Sequence, residues 1–446
     1  MSQRPLRVLT GIKPTGVPHL GNYVGAIRPA ISASNAPGVE SFFFLADYHA
    51  LISTHDPVRV QQSTLEVAAS WLACGLDPAR VAFYRQSDIP ETTELTWLLT
   101  CVAGKGILNR AHAYKAAVDR NRDEGEDDDA GVTAGLFMYP VLMAADILLF
   151  NADQVPVGRD QIQHIEMARD FGQRFNHLYG SHFTLPEALV EEQVATLPGL
   201  DGRKMSKSYD NVIPLFAPRE QLRKAVFSIV TDSRAPGEPK EPEGSALFDL
   251  YRAFASEAET TAMREAYAAG IAWGEAKERL FERIDIEVAP LRERYNALVA
   301  DPGAIERQLR DGAARLREEV AAPFLRELRS AVGLHDLSRP LAGKAAANEA
   351  AAAAAPPQFK QYREDDGRFY FKLVDGDRLL LQSEGHDSPR TAGQLIARLK
   401  REAGAGLHHV EQVGVHLGGD LIGRLGEAVA VEQLMEALAR FAEAEL

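Results

Sequence analysis

Short apolar segments alternate with helix-like segments in the first part of the chain, and this alternation limits the fold more than any other feature of the sequence. The apolar segments are residues 7–12, 41–47 and 81–86. Helical periodicity fills residues 58–74, between the second and third of them. Strands that alternate with helices predict a parallel, doubly wound α/β sheet, which binds its ligands beyond the carboxyl ends of the strands. His19, His49 and Gln86 are expected at those ends.

The segment directly after the first strand has the pattern of an anion-binding turn. Residues 13–16 predict a turn, and residues 20–28 predict a helix that ends at Pro29. Backbone N–H groups at such a helix start face an anion. The same pattern also occurs as a purely structural unit. The candidate contacts to a nucleotide are the backbone of Gly21 and the side chains of His19 and Asn22.

A second phosphate-binding candidate lies about 190 residues further along the chain. It reads Lys204-Met205-Ser206-Lys207-Ser208. Two ammonium groups and two hydroxyls within five residues suit the charge of a polyphosphate better than the packing of a core. A solvated basic turn is the alternative for any two lysines at this spacing. The occurrence of both candidates in one chain favours nucleotide binding.

Residues 134–150 are almost entirely apolar but contain one carboxylate, Asp146. A buried carboxylate needs a hydrogen-bonding partner, because an isolated one costs several kcal/mol. An indole N–H is a donor-only group that suits this role inside a flat aromatic slot. A phenylalanine side chain in a bound ligand would leave the carboxylate unpaired, whereas a tyrosine side chain would donate a hydrogen bond from a different position. The structural alternative is a buried helix in which Asp146 caps a neighbour or reaches solvent.

The two phosphate-binding candidates together resemble the signature pair of the class I aminoacyl-tRNA synthetases. Residues 19–22 look like the "HIGH" element of that family, and residues 204–208 look like its "KMSKS" loop. Residues 134–150 look like the amino acid-binding helix of the tryptophanyl-tRNA synthetases, and the resemblance extends from Arg7 to about residue 335. It implies a Rossmann-like catalytic domain, ATP-dependent activation of L-tryptophan and transfer to tRNA(Trp).

The resemblance also implies roles for individual residues. The implied catalytic residues are Lys204, Lys207, His19 and Lys115. The implied ATP site consists of Lys13, Pro14, Thr15, His19, Gly21, Asn22, Gly158, Arg159, Asp160, Leu197, Lys204, Met205, Ser206, Lys207 and Ser208. The implied tryptophan site consists of Asp146, Met143, Tyr139, Gln161 and His49. Relatives commonly carry glutamate in place of Arg159, so the role of that glutamate is not carried over to this chain, and they often carry glutamine in place of Lys13, whose extra positive charge would favour ATP binding.

No dedicated metal ligands are expected, and Mg²⁺ is expected to bind through the phosphates of ATP. The carboxylate of an amino acid is already a nucleophile, so the implied reaction needs no general base. Catalysis would come from positioning and from charge stabilisation at the α-phosphate and the departing pyrophosphate. The absence of a convincing Ser-His-Asp or Cys-His set agrees with this requirement.

Composition limits the partners and the compartment. The net charge of −14 argues against a general nucleic-acid binder, but tRNA binding depends on local patches rather than on the total. The two cysteines, Cys74 and Cys101, show no metal-binding spacing. Residues 1–5 contain no apolar signal region, and no apolar run of about 18 residues is present. We therefore expect a cytoplasmic enzyme without a membrane segment, and the family implies a homodimer.

Four regions are expected along the 446 residues. They are a catalytic domain at 1–212, a helical anticodon-binding domain at 213–338, an alanine- and proline-rich linker at 339–357 and a ββα extension at 358–446. The extension contains an apparent hairpin, residues 369–374 and 378–382, followed by a helix at 391–400. It resembles a small module of unassigned function found in bacterial stress-related proteins. An aromatic hairpin of this kind can stack nucleic-acid bases, but it also serves simply as a core.

Three other functions remain open from the sequence. A tyrosyl-tRNA synthetase shares the fold and a carboxylate in its pocket. A small-molecule adenylyltransferase of the same superfamily would need neither the helical domain nor tRNA. A catalytically inactive, tRNA- or stress-linked binding protein is disfavoured because both motifs are intact.

Overall fold

A computed structural model describes most of the chain. It covers residues 4–190, 196–334, 337, 357–376, 378–402, 405–410, 414–427 and 429–444. The predicted linker, apart from Pro357, lies outside the described residues. The chain divides into two compact units, residues 1–335 and residues 336–446. The internal boundary at residue 212 remains a prediction.

A five-stranded parallel sheet forms the centre of the first unit, as the alternation of strands and helices predicts. Its strands are β1 (Leu6–Ile12), β2 (Val39–Leu45), β3 (Ala82–Arg85), β4 (Gln154–Val157) and β5 (Glu187–Val190). They are arranged in the order β3-β2-β1-β4-β5. β1 lies between β2 and β4, so the chain builds outward from β1 in both directions. The carboxyl ends of β1 and β4 therefore form the switch point at which such sheets bind ligands.

Fifteen described helices of the first unit surround and extend this sheet. They are α1 (Leu20–Asn22), α2 (Arg28–Ser34), α3 (Asp47–Ala50), α4 (Pro57–Ala73), α5 (Glu91–Thr100), α6 (Lys105–Leu108), α7 (His112–Glu124), α8 (Ala134–Leu148), α9 (Ile162–Tyr179), α10 (Arg219–Phe227), α11 (Ala246–Phe254), α12 (Glu257–Ala268), α13 (Trp273–Ala300), α14 (Pro302–Leu316) and α15 (Ala322–Ala331). Core residues of the sheet and of α13 belong to one continuous apolar cluster. Helix α14 approaches β3 so closely that a Cβ atom at Gly312 would lie 2.1 Å from the Phe83 carbonyl oxygen.

The helix predicted to end at Pro29 continues beyond it. A wide π-helical turn, Tyr23–Ile27, follows α1 and leads directly into α2. Pro29 stands at the beginning of α2, where its missing N–H group needs no helical acceptor. The prediction of a helix end was therefore wrong, because the wide turn restarts the helix just before the proline.

The described residues of the second unit form a six-stranded antiparallel sheet and two helices. Its elements are β6 (Gln358–Arg363), β7 (Phe369–Asp375), β8 (Arg378–Ser383), α16 (Pro389–Arg401), β9 (Leu407–Val410), β10 (Gly414–Leu417), β11 (Asp420–Leu425) and α17 (Val431–Ala444). The strand order is β6-β7-β8-β11-β10-β9. The predicted hairpin and helix are present. They are followed by a second set of three strands and a helix, which the ββα description omitted.

Candidate active site

Two cavities lie side by side at the carboxyl ends of β1 and β4. The turn cavity, about 440 Å³, lies against the turn that follows β1. The α8 cavity, about 600 Å³, lies against helix α8. Gly11, Lys13 and residues 156–158 line both cavities. A ligand pair that filled them would therefore meet at the switch point of the sheet.

The predicted residues divide between these cavities and their surroundings. The turn cavity is lined by Lys13, Thr15, Asn22 and Gly158. The α8 cavity is lined by Lys13, His49, Tyr139, Met143, Asp146, Gly158 and Gln161. The residues that line neither are Pro14, His19, Gly21, Lys115, Arg159, Asp160, Leu197, Lys204, Met205, Ser206, Lys207 and Ser208. A larger cavity of about 1040 Å³, between α4 and α14, contains none of the predicted residues.

His19 fixes the start of helix α1 beside the turn cavity. Its Nδ1 atom accepts a hydrogen bond from the Asn22 backbone N–H over 3.2 Å, and the Asn22 Oδ1 atom accepts from the His19 N–H over 3.1 Å. Burial, reinforced by the charge of Lys207, lowers the pKa of His19 to about 4. The ring is therefore neutral at pH 7. Because Nδ1 accepts, the proton is on Nε2, and Nε2 and the Asn22 amide nitrogen are the donors available to a ligand.

The lysine loop contacts the turn after β1, so the structure brings the two motifs together. The Lys207 ammonium donates to the Thr15 carbonyl oxygen over 2.9 Å. Met205 is buried, and its backbone N–H donates to the Leu197 carbonyl oxygen over 2.9 Å. Lys204 is exposed to solvent. The loop is thus anchored by Met205, while the Lys207 ammonium lies beside the turn and the Lys204 side chain is at the surface.

The end of β4 presents a tight turn followed by an exposed carboxylate. A Cβ atom on Gly158 would lie 2.7 Å from Oδ1 of Asp160, so a larger residue here would displace that carboxylate from its present position. Arg159 and Asp160 are both exposed. Gln161 donates from Nε2 to the other Asp160 oxygen over 2.8 Å. Asp160 therefore has an oriented carboxylate between Gly158 and Gln161, two residues that line the α8 cavity.

Asp146 is buried in the α8 cavity, as the apolar sequence around it predicts, and is only 3% exposed. Its Oδ2 atom lies 2.9 Å from Nε2 of His49, and Gln86 donates to both carboxylate oxygens over 2.8 and 2.9 Å. Burial raises the pKa of Asp146, and the hydrogen bonds from His49 and Gln86 oppose that rise. A carboxylate has about four acceptor positions, so a further donor from a ligand can still bind.

A chain of hydrogen bonds connects the α8 cavity with Asp160. The Tyr139 hydroxyl lies 2.5 Å from Nε2 of His164, and the His164 Nδ1 atom lies 2.9 Å from Oε1 of Gln161. An amide oxygen can only accept, so His164 donates from Nδ1 and accepts from Tyr139 at Nε2. Burial lowers the pKa of His164, which agrees with a neutral ring. The directions of all bonds from Tyr139 to Asp160 are therefore determined.

Lys115 is not brought to the other predicted catalytic residues. It is exposed on α7 and lines a separate hollow of about 560 Å³ with Arg110 and Arg122. A bidentate ion pair between Arg122 and Asp128 lies in the same hollow. The described arrangement therefore gives Lys115 no contact with the two cavities.

Sequence reasoning missed the contributions of Gln86 and His164. Gln86 was expected at a strand end, but its bond to Asp146 joins residues 60 positions apart in the sequence. His164 follows Gln161 by three residues on the same helical segment, and that spacing brings side chains to one face. The sequence signal for His164 was therefore present, whereas the partner of Gln86 required the fold.

The described residues contain no group of three or more histidine, cysteine, aspartate or glutamate side chains placed to hold a metal ion. Within the same ranges, none of the helices combines the length and apolar character that crossing a membrane requires.

Comparisons with known proteins agree with this geometry. Residues 1–287 match the model for "tRNA synthetases class I (W and Y)". A tryptophan–tRNA ligase of Xanthomonas campestris is 71% identical over 397 residues, which are 89% of this chain and 92% of the relative. A Pseudomonas aeruginosa tryptophan–tRNA ligase is 58% identical over 446 aligned residues, covering 97% of this chain and 99% of the relative. The crystal structure of Campylobacter jejuni tryptophanyl-tRNA synthetase with ADP and tryptophan is 41% identical, with a TM-score of 0.68 over 74% of this chain and 100% of its own.

Proposed function

The chain belongs to the tryptophan–tRNA ligases of the class I tRNA synthetases, and from this premise we propose that its two adjoining cavities hold tryptophan and ATP. The enzyme joins L-tryptophan to tRNA(Trp) with ATP. The observation that supports this placement is the shared wall of the cavities at Gly11, Lys13 and residues 156–158. Tryptophan in the α8 cavity and ATP in the turn cavity would bring the amino acid carboxylate to the α-phosphate.

The reaction then proceeds in two displacements. An oxygen of the tryptophan carboxylate bonds to the α-phosphorus, and the bond from that phosphorus to the bridging oxygen breaks, releasing pyrophosphate. The 3′-terminal ribose hydroxyl of tRNA next attacks the acyl carbon of the adenylate, AMP leaves with the electron pair of the broken bond, and the hydroxyl proton is released to solvent. Charge increases on the phosphate oxygens in the first step, so fixed cations and N–H donors beside them lower the barrier.

Lysines of the loop are suited to that charge. Lys207 is held beside the turn by Thr15, and Lys204 is free to turn towards a polyphosphate. The neutral His19 Nε2–H, the Asn22 amide and the backbone at Gly21 would donate to the phosphates at the start of α1. Lys115 would join them only if α7 moves.

The remaining ATP contacts follow the turn and the end of β4. We assign the ribose to Asp160 and the backbone at Gly158, and the adenine to the backbone near Leu197 and Met205. Lys13 lines both cavities, so its ammonium can approach the α-phosphate. The other proposed ATP contacts are Pro14, Thr15, Arg159, Ser206 and Ser208.

Asp146 would select tryptophan over other amino acids as the substrate. The indole N–H would donate to its remaining acceptor position, while Met143 and Tyr139 contact the ring and Gln161 and His49 complete the pocket. A benzyl side chain would leave a buried carboxylate short of a donor, and such a mismatch gives strong rejection.

We propose that Mg²⁺ enters with ATP and is held by phosphate oxygens. Mg²⁺ usually binds through one or two carboxylates together with substrate phosphates. Lys207, His19 and Asn22 lie beside the turn and suit phosphate oxygens rather than the ion, and one carboxylate, that of Glu66, also approaches the turn at Gly16. Bound in this way, Mg²⁺ would neutralise charge on the departing pyrophosphate.

We further propose that the enzyme acts in the cytoplasm as a homodimer across which tRNA binds. The Trp97 side chain on α5 is 66% exposed, and tryptophan is among the residues enriched at protein interfaces, which supports a partner surface there. Sedimentation of the full chain and of Trp97→Glu would test this. A wild-type monomer at micromolar concentration would contradict it.

Part of the helical region would contact the tRNA backbone. Among the arginines there, Arg292 and Arg317 are already bonded to Asp285 and Glu91. Arg307, Arg310 and Arg326 are exposed, so they are better placed to meet phosphates. Replacing each with glutamine should raise the KM for tRNA without changing amino acid activation.

Amino acid-dependent exchange of pyrophosphate into ATP tests the assignment directly. Exchange should require tryptophan and should not respond to tyrosine. Support by tyrosine alone would instead indicate a tyrosyl-tRNA synthetase. Exchange without any acylation of tRNA would indicate a small-molecule adenylyltransferase.

A further inference from the structure

One face of the sheet in the second unit is covered by helices, and the other carries polar and aromatic side chains. Phe371, Leu381 and Val415 share a buried core with Leu399 of α16 and Leu438 of α17. Both helices therefore pack on the same face of the sheet. Side chains alternate between faces along a strand, so the neighbours of these core residues lie on the opposite face.

A row of cationic and amide side chains crosses four strands of this open face. Lys360 lies directly opposite Lys372, Lys372 opposite Gln382, and Gln382 opposite Arg424. With strands about 4.8 Å apart, the row extends over roughly 15 Å. The row is therefore long enough to follow two or three phosphates of an extended strand.

The two lysines have no carboxylate partner among the residues that the structure describes. Like charges directly opposite each other on a sheet are destabilising. Arg424 is 79% exposed, and its nearest carboxylate oxygen, on Glu384, is 3.9 Å away. The two lysines thus keep an uncompensated positive charge that an anionic ligand would relieve, while the charge of Arg424 is partly offset by Glu384.

Two tyrosines lie beside the cationic row. Tyr362 and Tyr370 pair across the strands, and their rings are stacked with centroids 6.0 Å apart and an interplanar angle of 22°. The Lys372 ammonium lies 5.8 Å from the Tyr362 ring, and Gln382 donates to the Tyr362 hydroxyl. The Tyr370 hydroxyl donates to Asp366 over 2.6 Å. Both rings are half-buried and held in place by these contacts, which leaves their outward parts available to planar ligands.

We propose that this face, formed by Lys360, Tyr362, Tyr370, Lys372 and Arg424, binds single-stranded RNA. Phosphates would follow the cationic row, and bases would stack on the tyrosines, which is the combination that single-strand binding surfaces use. The RNA in question is an unpaired segment of the substrate tRNA, and only this identification rests on the proposed function. An acidic protein segment would need the charges but not the rings, so the rings favour RNA.

The test uses the full-length protein and a fluorescein-labelled, unstructured 12-nucleotide RNA. Fluorescence anisotropy should show that Lys360→Glu/Lys372→Glu binds at least tenfold more weakly than wild type and has a shallower salt dependence, by about 1.4 in the logarithmic slope for two lost phosphate contacts. Tyr362→Leu/Tyr370→Leu should bind about tenfold more weakly through lost stacking. The control, Arg390→Glu/Arg401→Glu on α16, makes the same charge change on exposed side chains and should leave binding within twofold of wild type.

Three outcomes would overturn the proposal. If the lysine variants bound the RNA within twofold of wild type, this face would not be the RNA-binding surface. A loss in the lysine variants without any loss in the tyrosine variants would reassign the face to an acidic protein segment. An equal loss in the α16 control would show a general charge effect.

Charging assays identify the source of the RNA. In aminoacylation, both face variants should raise the KM for tRNA severalfold and leave tryptophan-dependent exchange unchanged. An unchanged KM would overturn tRNA as the ligand. Failure of exchange in the wild-type enzyme would instead contradict the proposed function, while the oligonucleotide measurements would remain interpretable.

Discussion

The Lys207 ammonium donates to the Thr15 carbonyl oxygen over 2.9 Å, which joins two motifs that are 192 residues apart. The bond uses one of three ammonium protons, so the other two remain for a ligand. Burial lowers the pKa of Lys207. The turn and the loop thus form one cationic rim next to the turn cavity.

Replacing Lys207 with methionine should therefore abolish most amino acid activation. Methionine keeps much of the side-chain volume but removes the charge that stabilises the phosphates. Loss of one such group reduces kcat on the order of 10²- to 10³-fold. Tryptophan-dependent exchange measures this, and Lys224→Met, at an exposed position of α10, is the matched control. A loss smaller than threefold would contradict the role.

Asp146→Asn should weaken tryptophan binding while leaving ATP binding nearly unchanged. Hydrogen bonds to a charged group contribute about 1.5–3 kcal/mol, so the KM for tryptophan should rise roughly 10- to 100-fold. Exchange kinetics with each substrate varied in turn give the two KM values. Asp170→Asn, at an exposed position on α9, should behave as wild type. An equal rise in both KM values would indicate general damage to the site.

The sheet and the acidic pocket residue were predictable because local sequence determines them. Residues 42–45 are apolar and buried in the sheet, and a continuous apolar run of this length is typical of a strand covered on both faces. Asp146 lies within so many apolar neighbours that burial follows from the sequence, whichever partner it finds. Both predictions depend on residues adjacent in the chain.

The features that escaped prediction depend on distant contacts. Tyr23, in the wide turn before Pro29, donates from its hydroxyl to Glu287 over 2.9 Å. No local sequence pattern predicts that bond. The second half of the C-terminal sheet consists of strands as short as four residues, β9 and β10. Segments of that length carry too few side chains for a clear alternation.

His164→Phe should weaken the binding of both substrates, because His164 joins the two sides of the site. Phenylalanine fills similar space but leaves the Tyr139 hydroxyl and the Gln161 amide oxygen without their partner. A buried group that loses its partner costs about 1–3 kcal/mol, so the KM values for tryptophan and ATP should each rise about tenfold. Exchange kinetics provide the measurement. His177→Phe, an exposed position on the same helix, is the control.

A partial rescue would distinguish positioning from packing in this chain of bonds. His164→Gln provides both a donor and an acceptor, so it should recover part of the lost affinity. If both KM values of His164→Gln were as high as those of His164→Phe, the packing of the ring alone would explain the loss of affinity.

The pKa of His19 makes folding sensitive to mild acid. The folded pKa of about 4 lies below the ordinary value of 6.5, so the unfolded chain takes up this proton first as the pH falls. The contribution of the neutral His19 ring to the free energy of unfolding is fully present above pH 6.5. It decreases between pH 6.5 and pH 4, by up to about 1.4 kcal/mol per pH unit. His19→Asn keeps a good helix cap without titrating. Its melting temperature should therefore fall less than that of wild type between pH 7 and pH 5, and an equal fall would contradict the assignment.

Ending the chain at residue 335 should leave amino acid activation intact. Both cavities, the lysine loop and the bonds from Tyr139 to Asp160 lie within the first compact unit, which ends at that residue. The kcat and KM for tryptophan-dependent exchange should stay within about twofold of those of the full chain. If the second unit binds tRNA, the truncated enzyme should differ only in its KM for tRNA during charging. Loss of exchange in a truncated protein that still melts cooperatively would show that the second unit contributes to the catalytic site.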